Sequence, residues 1–313
     1  MPSITLKIDV DTYRGTRVGV PHLVHLLKKH QANATFLFSL GPDHTGWALR
    51  RAFRPGFFKK VSRTSVVEHY GLKTLMYGVL LPAPDIGLEC AAEMRAVQDA
   101  GFECGIHTWD HVLWQDNVRA ADAAWTQRQM LQSCERFRAI FGRKPQTHGA
   151  AGWQMNPHAF AQLDAFGIAY ASDTRAILNE SGSLADPDTG PYRLQLSNKT
   201  LSCIQMPTTL PTLDEMLGRT INGGVITLSN IADTLLKLTQ SPRDHVYTLH
   251  AELEGQKLAP IFEQLLLGWQ AQGYDCISMA QLHRKIKNMT LPTHALGWAE
   301  LPGRSGQLIV PGI

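Results

Sequence analysis

Apolar and polar positions alternate from Ser3 to Val10: Ile4, Leu6, Ile8 and Val10 fall on one face, and Lys7, Asp9 and then Asp11 on the other. A two-residue period predicts a strand. The period changes after the Arg14-Gly15-Thr16 turn. Residues 18–30 carry their apolar side chains at helical spacing, with Pro21 in the first turn, which predicts an amphipathic helix. Residues 34–39 form a short apolar run of the kind a sheet buries on both faces. This β-α-β opening recurs along the chain. Helices are predicted at 86–100, 120–141 (closed by Gly142), 157–166, 229–239, 259–271 and 279–288, and strands at 102–106, 168–171, 246–249 and 274–278. Such alternation predicts a parallel α/β fold. Roughly seven strands, with no G-x-G-x-x-G after the first, point to an irregular (β/α)7-type barrel rather than a dinucleotide-binding sheet.

Two stretches break the rhythm. Residues 42–84 interleave Trp47, Phe53, Phe57, Phe58, Tyr70 and Tyr77 with Arg50, Arg51, Arg54, Lys59, Lys60, Arg63 and Lys73, a basic-aromatic insertion in a barrel spanning residues 1–288. Residues 289–313, with Pro292, Pro302 and Pro311, read as a loosely attached C-terminal extension. Composition adds exclusions. The chain of 313 residues is 44% hydrophobic, enough for a large core, and its 30 basic against 27 acidic residues give +3, which is no sign of a nucleic-acid binder. Cys90, Cys104, Cys134, Cys203 and Cys276 are scattered without a C-x-x-C pair, against a disulfide framework or a thiolate zinc cluster. Lys7, Asp9 and Asp11 interrupt the place a signal peptide would need, and no window approaches the roughly 18 apolar residues of a spanning helix. The expectation is a chain that stays in a reducing cytoplasm.

Candidate chemistry gathers at the ends of predicted strands. His107 and His111 follow the strand 102–106, and two imidazoles four apart can meet at one metal if the turn between them is helical. Asp9 and Asp11 share one side of the first strand, where two carboxylates repel unless a cation or proton lies between them. His250 ends the strand 246–249, with Glu252 just beyond, and Asp173 follows the strand 168–171. Each has a bland reading: turn hydrogen bonds for the histidines, a solvated edge for the acids. All of them, however, fall at carboxyl ends of parallel strands, which converge on one face of a barrel.

On these residues the chain resembles the polysaccharide deacetylase family, metal-dependent de-N-acylases built on an irregular barrel, over about residues 4–285. The resemblance implies that Asp11, His107 and His111 hold the metal, that Asp9 is the general base and His250 the general acid, and that Asp173 orients His250. Val10 separates aspartates that the family has adjacent, which leaves the division between Asp9 and Asp11 open. Ala150-Ala151-Gly152-Trp153 stands where the family has arginine-proline-tyrosine, so Arg14 or Arg175 is expected to supply the positive charge near the base. Arg14, Trp153, Arg175 and Glu252 are candidates for substrate contact.

The runs at 8–21, 105–115, 150–153, 172–175, 206–215 and 247–255 are similar to one branch of the family, the bacterial 4-deoxy-4-formamido-L-arabinose-phosphoundecaprenol deformylases. That similarity implies removal of a formyl group from an amino sugar on an undecaprenyl phosphate carrier, for lipid A modification and resistance to polymyxin and cationic peptides. Zinc is the default metal for this ligand set, with cobalt or manganese also accepted. Residues 45–81 would then cap the barrel mouth at an anionic membrane surface, on the cytoplasmic face of the inner membrane; the competing reading is a helical subdomain with its own aromatic core. The rival functions are deacetylation of another N-acylated sugar and carrier-lipid binding without catalysis. The oligomeric state stays open.

Overall fold

The computed structural model describes residues 1–48, 71 and 73–312. The first strand, β1 (Ser3–Val10), is buried along its whole length. Ile4, Leu6, Ile8 and Val10 enter the main core with Leu23 and Leu27 of the helix Val20–Lys29. The opposite face, with Lys7 and Asp9, looks into the barrel. There Leu37, Tyr170, Ile204, Met206 and Val246 make a second core. In chain order follow β2 (Thr35–Ser39), β3 (Glu103–Thr108), β4 (Thr147–His148), β5 (Tyr170–Ala171), β6 (Tyr192–Leu196), β7 (Lys199–Gln205), the hairpin β8 (Thr220–Ile221) and β9 (Gly224–Val225), β10 (His245–His250), β11 (Asp275–Ile277), β12 (Thr293–Glu300) and β13 (Gln307–Pro311).

Seven strands pair in parallel in the order β10-β1-β2-β3-β4-β5-β7. The chain leaving β7 returns to β10, where Thr209 N donates to Val246 O and Val246 N donates to Thr209 Oγ1, each at 2.9 Å. These bonds close an irregular barrel, as the alternation of elements predicts. Parallel strands in one ring bring their carboxyl ends to one mouth.

The helical expectations hold with shifts that local chemistry explains. The predicted helix 86–100 is broken at Cys90 into Ile86–Glu89 and Ala91–Asp99. A further helix, His111–Asn117, starts where the Asp110 side chain accepts from Leu113 N. It escaped the sequence reading because it is too short to show a period. The tail is the clear correction. Instead of lying loose, β12 pairs with β6 and β13 pairs with β12, while Leu301 and Leu308 are buried against Trp153. An alternating, half-apolar edge strand buries enough side chain to dock despite its flanking prolines. Of the predicted insertion, residues 49–70 and 72 lie outside the described residues, so its basic-aromatic stretch is not placed. The five cysteines are buried and unpaired. Among the described residues no helix is long and apolar enough to cross a membrane.

Candidate active site

Asp11 follows the end of β1, His107 is the penultimate residue of β3, and His111 opens the helix that Asp110 caps. That junction turns the two imidazoles toward one another, with ring centroids 5.3 Å apart. His107 Nδ1 lies 2.5 Å from Gly149 O. A carbonyl can only accept, so Nδ1 carries the hydrogen and Nε2 presents its lone pair. That Nε2 is 3.2 Å from Asp11 Oδ1, and His111 Nε2 is 3.4 Å from Asp11 Oδ2. Asp11 Oδ1 and His107 Nε2 are both buried without a hydrogen-bond partner. Buried acceptors left facing each other are costly, and a cation between them removes the cost. The three residues each offer one ligand atom, all within 4.8 Å of one another, compatible with ligands about 2.0–2.2 Å from a shared ion. The residues therefore fit a divalent metal. Burial opposes the charge of Asp11, but His111, His107 and His250 outweigh it and hold the carboxyl well below its usual range.

Asp9 is not one of the trio, but its Oδ1 lies 3.7 Å from His107 Nδ1. Its Oδ2 accepts from Lys7 Nζ at 2.7 Å, with both side chains buried, while Oδ1 is buried and has no hydrogen-bond partner. The cation beside Asp9 is thus Lys7, two residues earlier on the same face of β1, and not Arg14 or Arg175. Arg175 donates both its terminal nitrogens to Glu215, one at 3.0 Å. Arg14 is half-buried beside Gly71, where a β-carbon would overlap its guanidinium. Removing one partner of a buried pair strands the other. Lys7→Met should therefore lower stability by about 3–5 kcal/mol, and adding Asp9→Asn should recover much of the loss in urea melts.

His250 ends β10 in register with Asp9. Its backbone N donates to Glu254 Oε2 at 2.9 Å, and its Nδ1 is buried without a hydrogen-bond partner. Asp173 does not orient it. That carboxylate accepts from His148 Nδ1 at 2.6 Å, Ala150 N at 2.8 Å and Gln205 Nε2 at 3.2 Å, with His148 delivered to it by β4. Asp214 is one of three acids, with Asp11 and Glu254, on which the His250 charge acts: burial raises its carboxyl, but the charges of Arg304 and His250 outweigh burial and bring it below the usual range. Sequence reasoning missed Asp214 and Lys7; the first lies inside the run 206–215, and the second shares a strand face with Asp9.

Glu252 braces the turn after β1. Its Oε1 accepts from Asp11 N at 3.1 Å, Thr12 N at 2.9 Å and Thr12 Oγ1 at 2.8 Å, and a β-carbon at Gly15 would lie 1.8 Å from that oxygen. Burial and the Asp11 charge push its carboxyl well above the usual range. Trp153 is buried beneath Lys7, Arg175 and Arg304, all within cation–π range of its ring. Neither side chain lies open for a substrate to touch, which corrects the expectation for both.

Burial raises the Glu254 carboxyl to about 7, against the His250 charge and N–H that favour its ionised form. The folded chain therefore holds this proton more tightly than the unfolded one, whose carboxyl titrates near about 4.5. The associated stability is full below about pH 4.5 and is lost as pH rises through about 7. Glu254→Gln should flatten that part of the slope and be the more stable form at pH 8, read from urea midpoints at pH 5 and 8.

A parallel barrel whose mouth joins a metal-competent triad to a second carboxylate and a histidine belongs to a class of hydrolases that cleave amide C–N bonds. The chain belongs to the polysaccharide deacetylase family, whose sequence model matches residues 2–171. It is 33% identical over 305 residues, 97% of this chain and 93% of the relative, to the probable 4-deoxy-4-formamido-L-arabinose-phosphoundecaprenol deformylase ArnD of Shewanella sediminis. A protein of the same name from Wigglesworthia glossinidia brevipalpis is 28% identical, with 93% of this chain and 96% of the relative covered. Among solved structures, a Mycobacterium smegmatis protein assigned as a polysaccharide deacetylase superposes with a TM-score of 0.62 at 15% identity, covering 96% of each chain. A probable polysaccharide deacetylase from Pseudomonas aeruginosa PAO1 gives 0.55 at 14% identity, covering 91% of each chain. At such identities these structures speak for the fold alone.

Proposed function

We propose that this chain removes the formyl group from 4-deoxy-4-formamido-L-arabinose carried on undecaprenyl phosphate, releasing formate and the free amino sugar. The observation that carries the reading is the meeting of Asp11, His107 and His111 beside Asp9 and His250. The nearly full-length likeness to two proteins named as deformylases supports the substrate. A divalent ion held by Asp11, His107 and His111, zinc by ligand type with cobalt or manganese acceptable, would supply Lewis acidity toward water and the amide carbonyl. The chain's own groups do the rest. Lys7 pins Asp9 Oδ2, which leaves Oδ1 to accept a proton from the attacking water. Gly149 O fixes the His107 tautomer, and Glu252 holds the backbone that carries Asp11. His250 donates a proton to the departing nitrogen, without which an amine leaves poorly. The C–N bond breaks, the water oxygen stays on the formyl carbon, and the amine departs neutral.

Formate release from the formylated carrier lipid, beside an N-acetylated analogue, tests the reading. Release from the formyl compound with little from the acetyl one is expected. The reverse preference would assign the chain to deacetylation instead.

The same reading places the chain on the cytoplasmic face of the inner membrane, with residues 45–81 against anionic lipid and the freed amine destined for lipid A and resistance to cationic peptides. Support comes from the basic and aromatic residues of that stretch and from its described flank, where Val79 and Leu80 are 52% and 75% exposed. The chain should float with vesicles containing anionic phosphatidylglycerol, and charge reversal at Arg50, Arg51, Lys59 and Lys60 should abolish flotation. Undiminished flotation by that variant would remove the stretch from the interface.

A further inference from the structure

We propose that His44, at the root of the insertion, is a positioning residue of the metal site: through Asp110 it fixes the turn that presents His111. The inference rests on reading Asp11, His107 and His111 as the ligands, and it adds a residue that no sequence signal marked. Beyond β2 the chain stays pinned to the chain beyond β3. Leu40 N donates to Thr108 O at 3.0 Å and Gly41 N donates to Trp109 O at 2.7 Å. A β-carbon at Gly41 would lie 2.5 Å from the Trp109 ring, so glycine is what lets the two stretches run this close. That seam brings His44 to Asp110, where His44 Nδ1 donates to Asp110 Oδ2 at 2.5 Å.

The two oxygens of Asp110 divide the work. Oδ1 accepts from Leu113 N at 3.0 Å and starts the helix His111–Asn117, while Oδ2 is held by His44. The carboxylate is buried. Without His44 its second oxygen loses its donor, and a rotation in search of another breaks the cap. His111 is the first residue of that helix, and its Nε2 lies 3.4 Å from Asp11 Oδ2. A ligand one residue past a cap inherits whatever freedom the cap has, and a small rotation there carries the imidazole off the shared ion. The His44 ring is itself fixed. It stacks on Trp47 with ring centroids 3.7 Å apart and planes 8° from parallel, and Trp47 Nε1 donates to Gly78 O at 2.8 Å. Gly78 has a φ of +77°, and a β-carbon there would lie 2.7 Å from His44 Cδ2. Gly46 N donates to Tyr77 O at 3.1 Å and Asp43 N donates to Pro84 O at 2.9 Å. The outgoing and returning ends of the insertion thus close on one another, and His44 passes their rigidity to Asp110.

The test measures the affinity of the metal-free chain for zinc alone, by competition with a chromophoric chelator, beside urea midpoints. It needs no substrate, so it stands whichever acylated sugar is cleaved. Wild type is compared with His44→Phe, His44→Asn, Asp110→Ala and the His44→Phe/Asp110→Ala double variant. Phenylalanine keeps a ring over Trp47 but has no donor; asparagine loses the ring, but its amide nitrogen can take the place of Nδ1. His44→Phe should bind zinc about 10–100-fold more weakly than wild type, and His44→Asn should recover most of that loss. The double variant should bind no more weakly than the poorer single. A merely structural role would reverse the order of the two His44 variants, because packing follows the ring, and affinity would then track the urea midpoint. That reversed order, wild-type affinity in His44→Phe, or losses that multiply in the double variant would overturn the proposal. Should His44→Phe fail to fold, His44→Leu, also without a donor, replaces it. A wild type that binds no zinc defeats the metal reading and this inference together, whereas zinc held equally by wild type and His44→Phe defeats only the role of His44.

Discussion

His107→Ala should be isolated without bound divalent metal and without measurable formate release. The imidazole is held by Gly149 O so that its Nε2 faces Asp11, and both facing atoms are buried and otherwise unsatisfied. Removing one leaves a carboxylate and one partly exposed histidine, too few ligands to compete with water for an ion. Metal content of the purified variant and turnover should fall together, and added zinc should not restore either. A variant that kept its metal would show that the ion, if any, binds elsewhere, and the hydrolytic mechanism would fail with it.

His250→Ala separates proton donation from metal binding. Its ring lies opposite Asp9 across the β1–β10 ladder and is not one of the three residues that converge as ligands. General acid catalysis contributes about 10²–10⁴-fold. The variant should therefore keep its metal and lose kcat by that factor. The loss should be smaller on a substrate with a better leaving group, which needs less protonation. An equal loss on both substrates, or loss of metal, would move His250 out of the acid role.

Much of this site could be read before any coordinates. The period-two run in β1 and the apolar run of β10 declared themselves because buried parallel strands are uniformly apolar on at least one face. Their ends then located Asp9, Asp11, His107, His111 and His250 on one mouth. What sequence could not give was pairing. Lys7 looks like part of a solvated polar face until the barrel buries it against Asp9. Asp173 follows the expected strand 168–171, but the two-residue β4 that brings His148 to it carries no periodic signal. The tail was misread for a related reason: prolines and glycines mark turns, and they say nothing of whether the segments between them find an edge to join. Asp214 follows the segment 206–209 that crosses back to β10, a crossing that no local pattern announces.

The seam at Thr209 and Val246 divides the ring into two unequal jobs. Every side chain assigned to bond cleavage lies on or just after β10, β1 or β3, within the run β10-β1-β2-β3, a regular block with the deepest apolar support. The opposite arc, from β4 through β7 to the terminal hairpin, is short-stranded and stitched by side chains. Apart from Gly149, whose carbonyl holds His107, the loops on that arc carry none of the reacting groups assigned above, so a search for variants that accept other acylated sugars should begin there and leave the regular block untouched.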